Sequence, residues 1–145
     1  MSKEERNKAV VQQMYTELFS QGKLSLAEKL IAADFLDQEA PPGLPNRGPE
    51  STRQLVSMFH NAFPDVSFHV EEMVAEGETV AARVTWTGTH HGMFMGIAPT
   101  GRSVQQRQMH FMHLRDEQLI EHLAIRDDLG LRQQLGVISA PADKP

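Results

Sequence analysis

The sequence predicts an α+β fold, and three observations lead to that class. From Lys3 to Phe63 apolar residues recur at helical spacing; from Val66 to Asp127 apolar and polar residues alternate as in strands; a short helical pattern then closes the chain. Helices followed by strands imply helices packed on one face of an antiparallel sheet. At 145 residues the chain is sized for one domain, assigned to residues 1–138, with residues 139–145 (SAPADKP) expected to fray.

The first helix is expected from Lys3 to Gln21, because Val11, Met14, Tyr15, Leu18 and Phe19 share a face and Gly22 can stop it. A shorter helix follows. Ser25 and Glu28 have capping-box spacing, and Leu26, Leu30 and Ile31 supply the apolar side. The prolines of Ala40–Pro49 (APPGLPNRGP) rule out regular structure there. A third helix is predicted from about Glu50, presenting Leu55, Phe59 and Phe63 and ending before Pro64. Val66, Phe68 and Val70 start the first strand, and Thr79–Thr89 forms the next beyond a Glu76-Gly77-Glu78 turn. Ser103–Leu114 and Leu119–Asp127 make the last hairpin. A closing helix is expected to be capped by Asp127 or Asp128 and stopped by Gly136.

Composition excludes several classes of function. A hydrophobic fraction of 40% with 23% charged residues is globular, and a net charge of −5 without a basic stripe argues against nucleic acid. The absence of cysteine removes thiolate chemistry and fits a reducing compartment. The charged start MSKEERNKAVVQQ lacks the apolar segment of a signal peptide, and no run is long enough to span a membrane, so a cytoplasmic protein is expected.

Metal binding is not expected. His110 and His113, three apart on a strand, point to opposite faces, as do the neighbours His90 and His91, and no HExxH run is present. The loop Gly88–Arg102 (GTHHGMFMGIAPTGR) leads into a strand and lacks the lysine of a phosphate-binding loop. Its Met93, Phe94 and Met95 suit either core packing or the cap of a pocket, and Arg83 suits an ion pair or a substrate clamp.

The last hairpin carries the polar groups suited to chemistry. Alternation places Gln106, Gln108, His110 and Met112 on one face, and His122, Ala124 and Arg126 on one face of the returning strand. A two-residue turn would set His110 opposite Leu123; a three-residue turn, Arg115 to Glu117, sets it opposite His122. The lack of an Asn-Gly or Asp-Gly turn favours the longer option. Such a pair suits acid–base work near neutral pH, or is simply a hydrogen-bonded pair on a half-wet sheet. Met14, Tyr15, Phe19, Phe35, Met58, Phe59, Phe63 and Trp86 suit a core or, in a curved sheet, a ligand pocket whose expected lining Met112 and Ala124 complete.

Three segments together resemble the SnoaL-like polyketide (ester) cyclases of the nuclear transport factor 2-like superfamily. They are APPGLP at Ala40, AFPDVSFHVEEMVAEGETVAARVTWTGTHHGMFMGIAPTGR, and IEHLAIRDDLGLRQQLG, in that order. The glycine-rich loop is similar to that family's GTHxGxFxGIPPTG connection. The resemblance implies a cone-shaped curved sheet closed by helices around a pocket. It implies cofactor-free intramolecular aldol chemistry on a small molecule, in which a pocket aspartate assisted by histidine moves the proton α to a carbonyl. Gln108, His110 and His122 match the family's polar positions. The family's acid lies two residues after the second histidine, in a pattern like EHWD; this chain has Leu123 and Ala124 there.

Asp127 and Glu39 are the substitutes weighed, the first pointing to the opposite face and better suited to a helix cap. His122 is therefore the expected base, with His110 as its partner and Gln108 as donor to the enolate oxygen. A non-catalytic binder of a hydrophobic ligand is the second reading, favoured by Ala124. Epoxide or ester hydrolysis is the third; it needs an inward carboxylate, and the sequence offers none with good placement. The family also implies a homodimer through the exposed sheet face, with Phe111 and Leu123 contributing.

Overall fold

Ser2 starts the first helix: its hydroxyl accepts the Glu5 amide at 3.0 Å, and Glu4 and Glu5 complement the positive end of α1, Lys3–Gln13. In the computed structural model, which describes residues 1–139, the winding then loosens into a π-helical turn, Met14–Phe19. There the Ser20 amide reaches the Tyr15 carbonyl at 3.0 Å. This wide turn buries Met14, Tyr15, Leu18 and Phe19 together. Gly22 ends it at φ +70°, as expected.

The next stretch departs from the sequence reading. A 3₁₀ turn, Leu24–Leu26, and a four-residue helix α2, Ala27–Leu30, lead directly into a strand, β1, Ile31–Asp37. Ser25 caps nothing, and Ile31 opens a strand instead of completing a helix face. The physical reason is a partner: β5 (Gln118–Arg126) offers a free edge, and β1 adds to it in parallel, pairing Ile31 with Leu119 and Asp37 with His122. The helix α3, Gly48–Ala62, starts two residues before Glu50, with Gly48 at φ +66° and Pro49 in its first turn.

β2 (Ser67–Glu76), β3 (Thr79–Thr89), β4 (Ser103–Arg115) and β5 form an antiparallel meander, so the curved, unclosed sheet has the order β1-β5-β4-β3-β2. Only the β1–β5 pair departs from the expected antiparallel pattern. The last helix, α4 (Asp128–Gln134), is capped by the Asp127 side chain on the Gly130 amide at 2.9 Å, and Gly136 follows at φ +80°. The expected loose tail falls, from residue 140 on, outside the described residues.

Helices and sheet meet in one core. Trp86 is fully buried, with Phe63 and Phe59 set edge-on to it at 4.8 and 5.2 Å. The glycine-rich loop is pinned beneath α3, the His91 and Gly92 amides both donating to the Ala62 carbonyl. A Cβ on Gly92 would meet the Asn61 carbonyl oxygen at 2.1 Å, so only glycine permits this approach.

Candidate active site

The turn of the last hairpin resolves neither way that the sequence suggests. Asp116 and Glu117 both take positive φ, 51° and 62°, and make a two-residue turn that pairs Arg115 with Gln118. The register then shifts between Leu114↔Leu119 and His113↔Glu121, so Ile120 is an extra residue in β5. His110 consequently faces Ala124, and Met112 faces His122. The bulge restores the shared face: the two histidine rings stack diagonally, 5.0 Å between centroids, and His110 Nδ1 lies 2.7 Å from His122 Nε2.

These rings belong to a longer chain. His110 Nε2 is 2.8 Å from Gln108 Oε1, Gln108 Nε2 donates to Gln106 Oε1 at 3.1 Å, and Trp86 Nε1–H donates to the same oxygen at 2.8 Å. Gln106 Nε2 donates to Asp128 Oδ1 at 3.0 Å. At the other end His122 Nδ1 is 2.8 Å from Asp37 Oδ1, which also accepts the Glu39 amide at 2.9 Å.

An indole can only donate, and this sets the direction of every bond along the chain. Trp86 fixes the Gln106 oxygen, Gln106 fixes Gln108, and the Gln108 oxygen must then receive a hydrogen from His110 Nε2. Three bonds thus link the Gln108 carbonyl to the Asp37 carboxyl through two imidazoles, and each needs one hydrogen. Two neutral imidazoles supply two. The third hydrogen belongs to the Asp37–His122 contact, while burial, the charge of His122 and that of Arg126 hold His110 well below its ordinary value. Burial and, secondarily, the nearby Asp37 push the Tyr15 hydroxyl up, so it remains protonated.

The chain forms one wall of a cavity of about 110 Å³. Gln106, Gln108, His110, His122 and Asp37 line it together with Met14, Tyr15, Phe19, Phe35, Met58 and Phe59, so nine of the thirteen site residues expected from sequence reach it. The other four do not. Phe63 and Trp86 lie behind the wall, packed on each other; Met112 is fully buried in the core; Ala124 is covered, its methyl beside His110 and short of the cavity. Of the loop residues, Phe94 and Met95 line the cavity while Met93 is exposed. Arg83 pairs with Glu72 at 2.9 Å and does not line the cavity.

Asp37 is a cavity-lining carboxylate that the sequence reading missed, and it corrects the expectation that no carboxylate has a good inward placement. It is buried, 6% exposed, and lines the cavity; Asp127 caps α4 and Glu39 does not line the cavity. The signal was present only as the last residue of IAADFLD, whose burial does not alternate. Among the described residues no three His, Cys, Asp or Glu side chains converge as a metal ion would require.

The family model described as SnoaL-like polyketide cyclase matches residues 9–135. The chain is 29% identical over 130 residues to the aklanonic acid methyl ester cyclase AcmA of Streptomyces galilaeus, covering 88% of this chain and 89% of that protein. It is 31% identical to IdmH of Streptomyces antibioticus, a proposed polyketide cyclase, over 90% of this chain and 98% of that one, with a TM-score of 0.75. TsrD of Streptomyces laurentii shares the fold, with a TM-score of 0.86 at 21% identity over 95% and 99% of the two chains.

Proposed function

We propose that this chain, which belongs to the SnoaL-like polyketide cyclase family, closes a ring in a small, largely apolar carbonyl compound by acid–base chemistry of its own side chains. The observation that carries this reading is the unbroken hydrogen-bonded chain Asp37–His122–His110–Gln108 along a cavity that Met14, Phe19, Met58 and Phe59 also line. The apolar lining holds the carbon skeleton while the polar chain meets the reacting carbonyl. Removal of a proton α to a carbonyl makes an enolate; its carbon attacks a second carbonyl of the same molecule, and the resulting alkoxide takes the proton back. Nothing is consumed. The similarity to AcmA, a methyl ester cyclase, supports an ester or other activated carbonyl substrate.

The histidine pair links Asp37 to Gln108. Gln108 orients His110 through its carbonyl; its amide gives one hydrogen to Gln106 and has a second to offer a developing enolate oxygen. Tyr15, neutral and lining the cavity, is a second donor suited to that oxygen. The active unit proposed is a cytoplasmic homodimer joined through the outer face of β4 and β5, where Met109, Phe111, Leu123 and Ile125 are exposed.

One feature favours a second reading. Ala124 replaces the acid that the family resemblance leads one to expect, which suits a protein that binds an apolar ligand without transforming it. Proton exchange at the α carbon of ethyl acetoacetate and ethyl 2-methylacetoacetate, followed by NMR in deuterium oxide, separates the two. The cyclase reading expects exchange by the parent protein, reduced about 100-fold or more in His122→Ala. Binding of these compounds without exchange, in parent and variant alike, would leave the ligand-binding reading in its place.

A further inference from the structure

The group that takes the α proton needs a lone pair open to the cavity, and the imidazoles have none. Both nitrogens of His110 and both of His122 are engaged, by Gln108, by each other and by Asp37. Asp37 differs. Its Oδ1 accepts two hydrogen bonds, from His122 and from the Glu39 amide, while its Oδ2 has no partner among the described residues and the side chain lines the cavity.

Resting on the cyclase reading above, we propose that Asp37 Oδ2 is the general base, a carboxylate moved from strand β5 to strand β1 that replaces the acid missing at Ala124. Two features of the sheet support the exchange of positions. Ala124 is directly paired with His110, and Asp37 is directly paired with His122. A carboxylate at either place therefore abuts the same stacked imidazole pair, from one end or from the other. The parallel β1–β5 pairing is what delivers Asp37 there, and the Glu39 amide holds Oδ1 so that Oδ2 is left for substrate.

With the hydrogen of the Asp37–His122 contact on His122, Asp37 is ionised. Its Oδ2 takes the α hydrogen as a proton, and the C–H electron pair becomes the enolate. The enolate carbon forms the new C–C bond as the π pair of the second carbonyl moves to its oxygen. That alkoxide recovers the proton from Asp37, so the carboxylate is restored and the reaction is an isomerisation that needs no co-reactant. His122 is then a positioning residue for Asp37, and His110 and Gln108 position His122.

Asp37→Asn tests this, because it keeps the shape and the Oδ1 acceptor but places N–H where the base should be. In the α-exchange assay with ethyl acetoacetate, the variant should lose about 100-fold or more. The double variant Asp37→Asn/Ala124→Asp should regain at least about tenfold. Exchange by Asp37→Asn within about threefold of the parent overturns the assignment, while the cyclase reading stands.

A parent that exchanges nothing removes the cyclase reading, and a binding measurement then judges Asp37 separately. 2-Naphthol, a fluorescent enol mimic, should bind the parent through a hydroxyl donated to Oδ2 and weaken about tenfold in Asp37→Asn. Equal affinity, or no binding to either protein, overturns the assignment.

Discussion

On the inner face of the β4–β5 hairpin stand Gln106, Gln108, His110 and His122; on the outer face of the same two strands stand Met109, Phe111, Leu123 and Ile125. The inner three on β4 are no more than 5% exposed, whereas Ile125 is 79% and Phe111 55% exposed. A sheet with one face on a core normally shows the reverse, apolar inward and polar outward. Met109 pairs directly with Ile125 and Phe111 with Leu123, so the outer apolar residues form a contiguous patch. The inversion is maintained differently on the two faces. Inside, the polar side chains are linked to one another from Trp86 to Asp37, so each has at least one hydrogen-bond partner. Outside, no described part of the chain covers the patch, and association with a second copy is the reading proposed above.

The contrast can be broken from either side. Charging the outer face has the larger expected effect. Phe111→Lys or Ile125→Lys should weaken self-association about 100-fold or more, shifting sedimentation from dimer to monomer, with α-proton exchange per chain little changed. Unaltered sedimentation would assign the patch another role. On the inner face, Trp86→Phe keeps the core ring but removes the donor that sets the direction of the chain. Its cost should be about 1–3 kcal/mol in urea unfolding, since the Gln106 oxygen loses a buried partner. A loss near zero would mean that the polarity is set elsewhere.

How far the sequence revealed this site depends on which residues are considered. Strict alternation in QQRQMHFMH and EHLAIR fixed the faces of Gln108, His110 and His122, because a period of two leaves no choice of side. Their register was not legible. Asp116 and Glu117 form a positive-φ turn without a glycine, and the extra residue Ile120 then displaces every later pair by one. Asp37 was hidden for a related reason. A seven-residue edge strand running straight out of a helix, with two exposed residues in the middle, reads as helix until its parallel partner is known. Trp86 and Phe63 were expected in the lining from aromatic character alone. Whether an aromatic ring floors a cavity or backs its wall is decided by packing, which periodicity does not encode.

Nitrogen-15 NMR of the His110 and His122 rings, followed from neutral pH downward, tests the direction and proton count of the inner chain most directly. His110 should carry its hydrogen on Nε2 and remain neutral below pH 6.5, because burial and neighbouring positive charge oppose a second proton, and His122 should carry a hydrogen on Nδ1 toward Asp37. A His110 ring carrying its hydrogen only on Nδ1, or taking up a second proton near pH 6.5 like a free imidazole, would contradict that direction and proton count.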